Sequence, residues 1–429
     1  MTHRRAFIKQ LASMAGASGL GGLLALDESV GAELRSLSPT SADDVSWAAL
    51  RERYLLAPEV VYFNHGSIGT VPRIVHEAQV AYLRTCESNP WLYMWGGAWD
   101  EPREIVREKA ARLLGCAPQE LAITHNTTEG FNTLAAGLDL GPGDEVLFSS
   151  LNHAGASICW QHYAEVKGFT VKTFDFPILD IPSMDADDVL DVYDRRIGPR
   201  TRVLAFPHID NIVGLRYPVK ELTALAKSKG VEIVAVDGAQ SVGMIDVDVT
   251  DAGVDVYSAS PHKWVQSPKG LGLFYVRREV QERIRPMWVT WGQARWQGTA
   301  RLFEDYGTRN LAEVMTLGDA IDFQVELGVE AKLGRYRQLW DRFLSAAEGS
   351  QRVIWRSPHD WERAASLFAL EVRAISSAAV FERMYREGGF VFRPFQTQGL
   401  NTIRISPNVY NSEEEIDRFF ARVEKLPRG

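Results

Sequence analysis

The chain has 429 residues, too many for one ordinary core, and its 45% apolar and 24% charged content is that of a soluble globular protein. A net charge of −8, mixed along the sequence with no basic tract, excludes nucleic acid as an expected partner. Three cysteines, Cys86, Cys116 and Cys159, show no CxxC or metal-ligand spacing, so no metal is expected and one disulfide at most.

Residues 1–9 read MTHRRAFIK, and a mild glycine-rich apolar run, LASMAGASGLGGLLAL, follows. That run is too short to span a bilayer as a stable helix, and Val30-Gly31-Ala32 suits a small-residue cleavage site. Residues 1–32 resemble a twin-arginine export signal, which implies a folded protein delivered to the periplasm or beyond, with no membrane attachment after removal. Residues 33–70 read as an N-terminal segment: a linker and helix, then a short strand over 60–69 (VVYFNHGSIG) running into a glycine-rich turn. Within that turn His65 and Ser67 are candidates to face a substrate; for His65, capping the turn is the competing role.

Helical spacing of apolar residues predicts helices over 73–85 and 101–114. The loop between them, PWLYMWGGAWD, lines a substrate mouth or a subunit interface, or is plain packing. A strand over 120–125 leads into NTTEGFN, a small-residue turn opening a helix. Unpaired N–H groups and the positive dipole end make that turn, which holds Thr127 and Thr128, a ready phosphate seat; a simple helix cap is the alternative. Further strands are expected over 145–150, ending in LNHAGAS with His153, and over 202–207, ending in HIDNIVG with Asn211.

Residues 231–264 carry the densest chemistry. A strand over 231–236 delivers Asp237 at its carboxyl end, and a strand over 254–259 delivers Ser260, His262 and Lys263 from its own. In open α/β sheets that edge is where ligands bind. A lysine there beside an acid suits Schiff-base chemistry, the acid holding a pyridinium nitrogen. Such a lysine must lose its proton near neutral pH, which desolvation and a cationic neighbour both favour. After a strand over 271–276 comes an aromatic and basic stretch, a substrate loop or dimer contact across 288–296, that ends in YGTRN. From residue 311 an amphipathic helix leads into a smaller domain with strands over 367–372, 391–393 and 402–406. That domain has a helix over 378–386, and Ser412 with Glu415 forms a capping box for the last helix. In NTIRIS, the planar fork of Arg404 suits a carboxylate, with a surface ion pair as the alternative.

VDGAQSVG followed, 26 positions from Asp237 to Lys263, by SASPHK resembles the cofactor site of the class V aminotransferase family. FNHGSIGTVPRIVHEAQ with ESNP is similar to its isopenicillin N epimerase branch. The resemblance implies an α/β protein of fold type I, a mainly parallel seven-stranded sheet sandwiched by helices. It places a large domain at 71–310 and a smaller α/β domain at 311–429. The implied cofactor is pyridoxal 5′-phosphate (PLP), bonded to Lys263, with Asp237 on the ring nitrogen and His153 stacked on the ring. Asn211 and Gln240 are then expected at the ring hydroxyl, and Thr127, Thr128, Ser260 and His262 at the phosphate. Gly307 and Thr308 would reach the phosphate of a partner subunit, so a homodimer with shared sites is expected. Arg404 would hold the carboxylate of an amino-acid-type substrate. Cysteine desulfuration needs a thiol on the loop before Arg404; that loop reads GGFVFRPFQTQGLN, and no cysteine follows Cys159. Epimerisation and C–S or β-elimination are therefore the leading chemistries, with transamination or a silent envelope PLP- or ligand-binding protein as alternatives.

Overall fold

The computed structural model describes residues 47–427, so the expected export signal and the start of the linker lie outside the described residues. Within residues 60–69 the expected short strand is β1 (Val61–Tyr62), and the chain then runs into the expected turn.

Seven strands build the main sheet: β2 (Leu121–Thr124), β3 (Glu145–Ser149), β4 (Thr170–Phe174), β5 (Thr201–Pro207), β6 (Ile233–Asp237), β7 (Val256–Ala259) and β8 (Gly272–Val276). Their order is β2-β8-β7-β6-β5-β3-β4, and β8 runs opposite to the other six. β2, β3, β6, β7 and β8 are buried along their whole length, as near-continuous apolar strands covered on both faces must be. Along β5, Val203 and Ala205 join one core with Phe131 and Trp160, while Leu204 and Phe206 join the opposite core with Tyr193 and Tyr217. The edge strand β4, TVKTF, is mostly uncovered, and its polar pattern gave no sequence signal.

The predicted amphipathic helix from residue 311 is instead two helices. Leu311–Leu327 is buried over most of its circumference, against helices Arg73–Ser88 and Asp100–Leu114. Gly328, at φ 75°, breaks the run, and Val329–Gly349 then buries Leu339, Trp340 and Phe343 in a separate core. That core lies under a four-stranded antiparallel sheet, β12-β13-β10-β9. Its strands are β9 (Val353–Trp355), β10 (Phe368–Val372), β12 (Arg393–Thr397) and β13 (Leu400–Ile405). The short β11 (Phe390–Val391) precedes β12 and pairs in parallel with β1, so the predicted 391–393 strand is divided between two sheets. The expected capping box is present: Ser412 Oγ accepts from the Glu415 N–H (3.2 Å), and Glu415 accepts from the Ser412 N–H (3.1 Å).

Candidate active site

The carboxyl ends of β2, β3, β5, β6 and β7 converge on one edge of the sheet, and the 63–69 turn and β12–β13 close over it. They enclose a cavity of about 250 Å³ lined by Thr127, Thr128, His153, Asn211, Asp237, Gln240, Ser260, His262, Lys263, Ser67 and Arg404. Eleven expected site residues, spread over more than three hundred positions of sequence, thus meet in one place.

At one end, the helix Thr127–Gly137 points its N-terminus into the cavity, capped by Asn126 through the Glu129 N–H (2.9 Å). The Thr127 N–H donates to Ser260 Oγ (3.0 Å), and the two hydroxyls lie 2.8 Å apart. Beside them, desolvation together with Lys263 lowers His262 to about 4, and its Nδ1 is buried without a partner. A second helix, Ala154–Lys167, starts at the same spot. A Cβ on Gly155 would fall 2.5 Å from Thr128 Oγ1, so a larger residue there would have to push that hydroxyl aside. Two dipole ends, two hydroxyls and an orphaned imidazole nitrogen are a donor set for a phosphate.

At the middle, Asp237 is 6% exposed, with Oδ1 accepting from the Ala239 N–H (2.9 Å). His153 caps the second helix, its Nδ1 accepting from the Gly155 N–H (3.1 Å). That bond fixes the tautomer with hydrogen on Nε2, and desolvation, opposed by Asp237, lowers the ring's pKa. Lys263 is half-buried on the cavity floor. Desolvation brings its ammonium down to about 8; Asp237 opposes this, while Arg404 and Arg393 add to it. Gln240 lines the wall with its amide tied to the Gly66 carbonyl (2.8 Å) and the Trp264 indole (3.0 Å), which leaves one N–H for a ring oxygen.

At the far end, Arg404 is 2% exposed, and its hydrogen bonds all go to neutral groups: Asn211 O (2.9 Å), Asn64 Oδ1 (3.2 Å) and Ser67 Oγ (2.6 Å). Its Nε–H has no partner, and burial with Arg393 nearby lowers the guanidinium to about 9. The alternative role of Arg404 in a surface ion pair is thereby overturned. The Asn211 carbonyl is aimed by Asp210, whose buried carboxylate accepts from the N–H groups of Ile212, Val213 and Leu215.

Three expected residues lie off the cavity lining. His65 is fully buried behind it, against Trp264 and Tyr410, with Nε2 3.2 Å from Thr70 Oγ1. Desolvation holds its pKa near 3, so it is a neutral packing residue behind the wall rather than a group facing the space. Gly307 and Thr308 are exposed, outside the lining. Sequence reasoning missed Gly66, Asn126, Gly155, Ala239 and Arg393, all on the lining. Arg393 had a readable sign, a cation inside the aromatic strand FVFRPF.

The cavity thus offers a phosphate seat, an acid for a pyridine nitrogen, an amine of lowered pKa and a carboxylate fork, a set that fits PLP with an amino acid. The family model for aminotransferase class-V matches residues 61–419. The isopenicillin N epimerase of Streptomyces clavuligerus is 30% identical over 408 residues, covering 89% of this chain and 98% of that one. A probable cysteine desulfurase of Halalkalibacterium halodurans is 26% identical, covering 92% and 97%. Among solved structures, a C-DES mutant with glycine covalently linked to its PLP cofactor superposes with a TM-score of 0.78 at 23% identity, covering 88% and 99%. The chain belongs to the class V aminotransferase family and has its α/β fold of type I.

Proposed function

We propose that this chain is a PLP-dependent enzyme that epimerises an amino-acid-type substrate at Cα or eliminates a group from its Cβ, in the manner of the isopenicillin N epimerase branch. Bound, the cofactor supplies an electron-poor pyridine ring that makes the Cα–H of an attached amino acid acidic. The residues of the chain do the rest. Arg404 offers a desolvated fork to the substrate carboxylate and so would fix the orientation of the substrate's Cα. Lys263, with its ammonium lowered to about 8, has an amine able to accept and return the Cα proton near neutral pH. Asp237 supplies the negative charge that keeps a proton on the ring nitrogen.

The observation that carries the choice of reaction is the β12–β13 hairpin. Desulfuration needs a mobile thiol on the approach to Arg404, and here two residues, Gln398 and Gly399, join the strands. Among the described residues no thiol lines the cavity, and no cysteine follows Cys159. The test is to incubate the purified enzyme with candidate amino acids in D₂O while following Cα exchange, released thiol and keto acid. Exchange with inversion supports epimerisation, and thiol or ammonia release with an intact cofactor supports elimination. Sulfur transfer from cysteine with persulfide on the protein would overturn the reading, and so would keto acid formed in step with loss of cofactor colour. A protein that bonds PLP and exchanges no amino acid would be a silent binder.

Export by the twin-arginine route and a homodimeric assembly belong to the same proposal, the first on RRAFIK at residues 4–9, outside the described residues. Replacing Arg4 and Arg5 together by lysine is expected to leave the protein in the cytoplasm, as checked by cell fractionation; unchanged export would refute that part.

A further inference from the structure

The far end of the cavity holds more positive charge than one carboxylate requires. Arg393 on β12 and Arg404 on β13 are directly opposed in the antiparallel register, so their side chains leave the same face of the sheet. Both reach the cavity. Two residues along β12 on that face stands Phe395, with the Arg393 guanidinium 5.2 Å and the Arg404 guanidinium 5.4 Å from its ring centre. Among the described residues neither arginine makes an ion pair, and the cavity's carboxylate, Asp237, lies at the lysine end. The phosphate seat is built by other elements, Thr127, Thr128, Ser260 and His262.

Like charges directly across a sheet destabilise it, and a desolvated guanidinium costs more still when its nearby acid, Asp210, commits its oxygens to three backbone N–H groups instead of to the fork. A bound anion relieves both. An α-carboxylate satisfies Arg404, the more buried of the two, whose free Nε–H and Nη groups are already framed by Asn64, Ser67 and Asn211. Arg393, over the Phe395 ring and exposed, is left for a second anionic group.

We propose that Arg393 receives a second carboxylate, carried on the substrate's side chain, so that this enzyme acts on amino acids bearing two acid groups. The inference rests on the reading of the cavity as an amino-acid site and adds a substrate class to it. Arg393 is then a specificity residue and takes no part in proton transfer.

Calorimetric titration of the PLP-loaded protein with unreactive acids tests this without turnover. Glutarate and adipate are expected to bind at least about ten-fold tighter than pentanoate, since each brings a charge-assisted pair that pentanoate lacks. Arg393→Gln should abolish that preference and leave pentanoate affinity unchanged, whereas Arg404→Gln should weaken all three acids. Arg393→Lys should retain part of the preference, its charge kept and its fork lost. Equal weakening of pentanoate and glutarate by Arg393→Gln would mean that both arginines clamp one carboxylate and would overturn the proposal. Absence of any preference in the wild type would do the same. Because the Cα-exchange assay is separate, a binding preference without exchange sinks only the proposed reaction, and exchange without preference sinks only the second carboxylate site.

Discussion

Lys263 stands between opposing influences, and their signs can be separated. Burial, Arg404 and Arg393 push its proton off, while Asp237 holds it on. The neutral amine bonds an aldehyde, so the rate at which the cofactor-free protein captures PLP is expected to rise with pH through a midpoint near 8. Asp237→Asn removes the group that raises this value and should move the midpoint down; Arg393→Gln removes one that lowers it and should move the midpoint up. Stopped-flow absorbance across a pH series reads both, and shifts of the same sign in the two variants would contradict the electrostatics. Lys263→Ala should lose the visible absorbance of lysine-bonded PLP altogether. For Arg404→Ala, KM should rise about ten- to hundred-fold for amino acids and far less for their amides, as measured by Cα exchange. Asp237, Lys263 and Arg404 were legible because each follows or sits in an apolar strand whose end faces the ligand edge. For Arg393 only the lone cation in an aromatic strand could be read; its role depends on register with Arg404, which no single-strand pattern encodes. His65 was misplaced because its burial comes from Trp264 and Tyr410, hundreds of positions away.

At the scale of elements, the β12–β13 hairpin gives the site its rigidity. Its two-residue turn puts Gln398 at φ 51° and Gly399 at φ 78°, the left-handed backbone that tight hairpins favour. Gln398 then bridges to the large sheet, accepting from Ser150 Oγ (2.8 Å) and donating to Ser150 O (2.9 Å), three residues before His153. The small domain is thereby latched beside the cavity wall that carries His153. Gln398→Gly keeps the turn, relieves about 1 kcal/mol of backbone strain and deletes the latch, so the melting temperature should change little. Amide exchange across 393–404 should accelerate, however, and KM should rise; unchanged exchange would show that the latch holds nothing. The approach of the 63–69 turn to the lysine loop is tighter. Gly69 donates its N–H to His262 O (2.9 Å), and an added Cβ would sit 2.0 Å from Lys263 O. Backbone cannot yield as a flexible side chain does, so Gly69→Ala should cost about 1–3 kcal/mol of unfolding free energy in a urea titration. The central strands could be read from sequence because they are apolar runs. The polar edge strand β4 and the division of 390–397 between β11 and β12 could not, since both are decided by which neighbour is available to pair.

At the scale of the whole molecule, Gly307 and Thr308 are exposed and stand apart from the cavity of their own chain. Nearby in sequence, Trp288 is 41%, Val289 87% and Trp291 78% exposed, and Trp291 lies 6.4 Å from the half-exposed Trp95, ring centre to ring centre. Among the described residues this leaves an open apolar patch, of the kind that a contact face would carry. Trp288 also donates to Glu129 (3.1 Å), in the first turn of the helix Thr127–Gly137 whose N-terminus enters the cavity, so this face is connected to the cavity's rim. If a second copy covers it and each copy lends Gly307 and Thr308 to the other's phosphate, two dead variants can rescue one another. A Lys263→Ala chain contributes an intact 307–308 step, and a Thr308→Glu chain contributes an intact lysine. Each homodimer should be nearly inactive, the second because a carboxylate repels the phosphate. A mixed dimer carries one site with both defects and one with neither. Co-refolding at equal ratio makes half the dimers mixed, so activity should return to about a quarter of wild type. Recovery in that range marks sites completed across the interface, and a mixture no more active than the sum of its parts would assign every cofactor contact to a single chain.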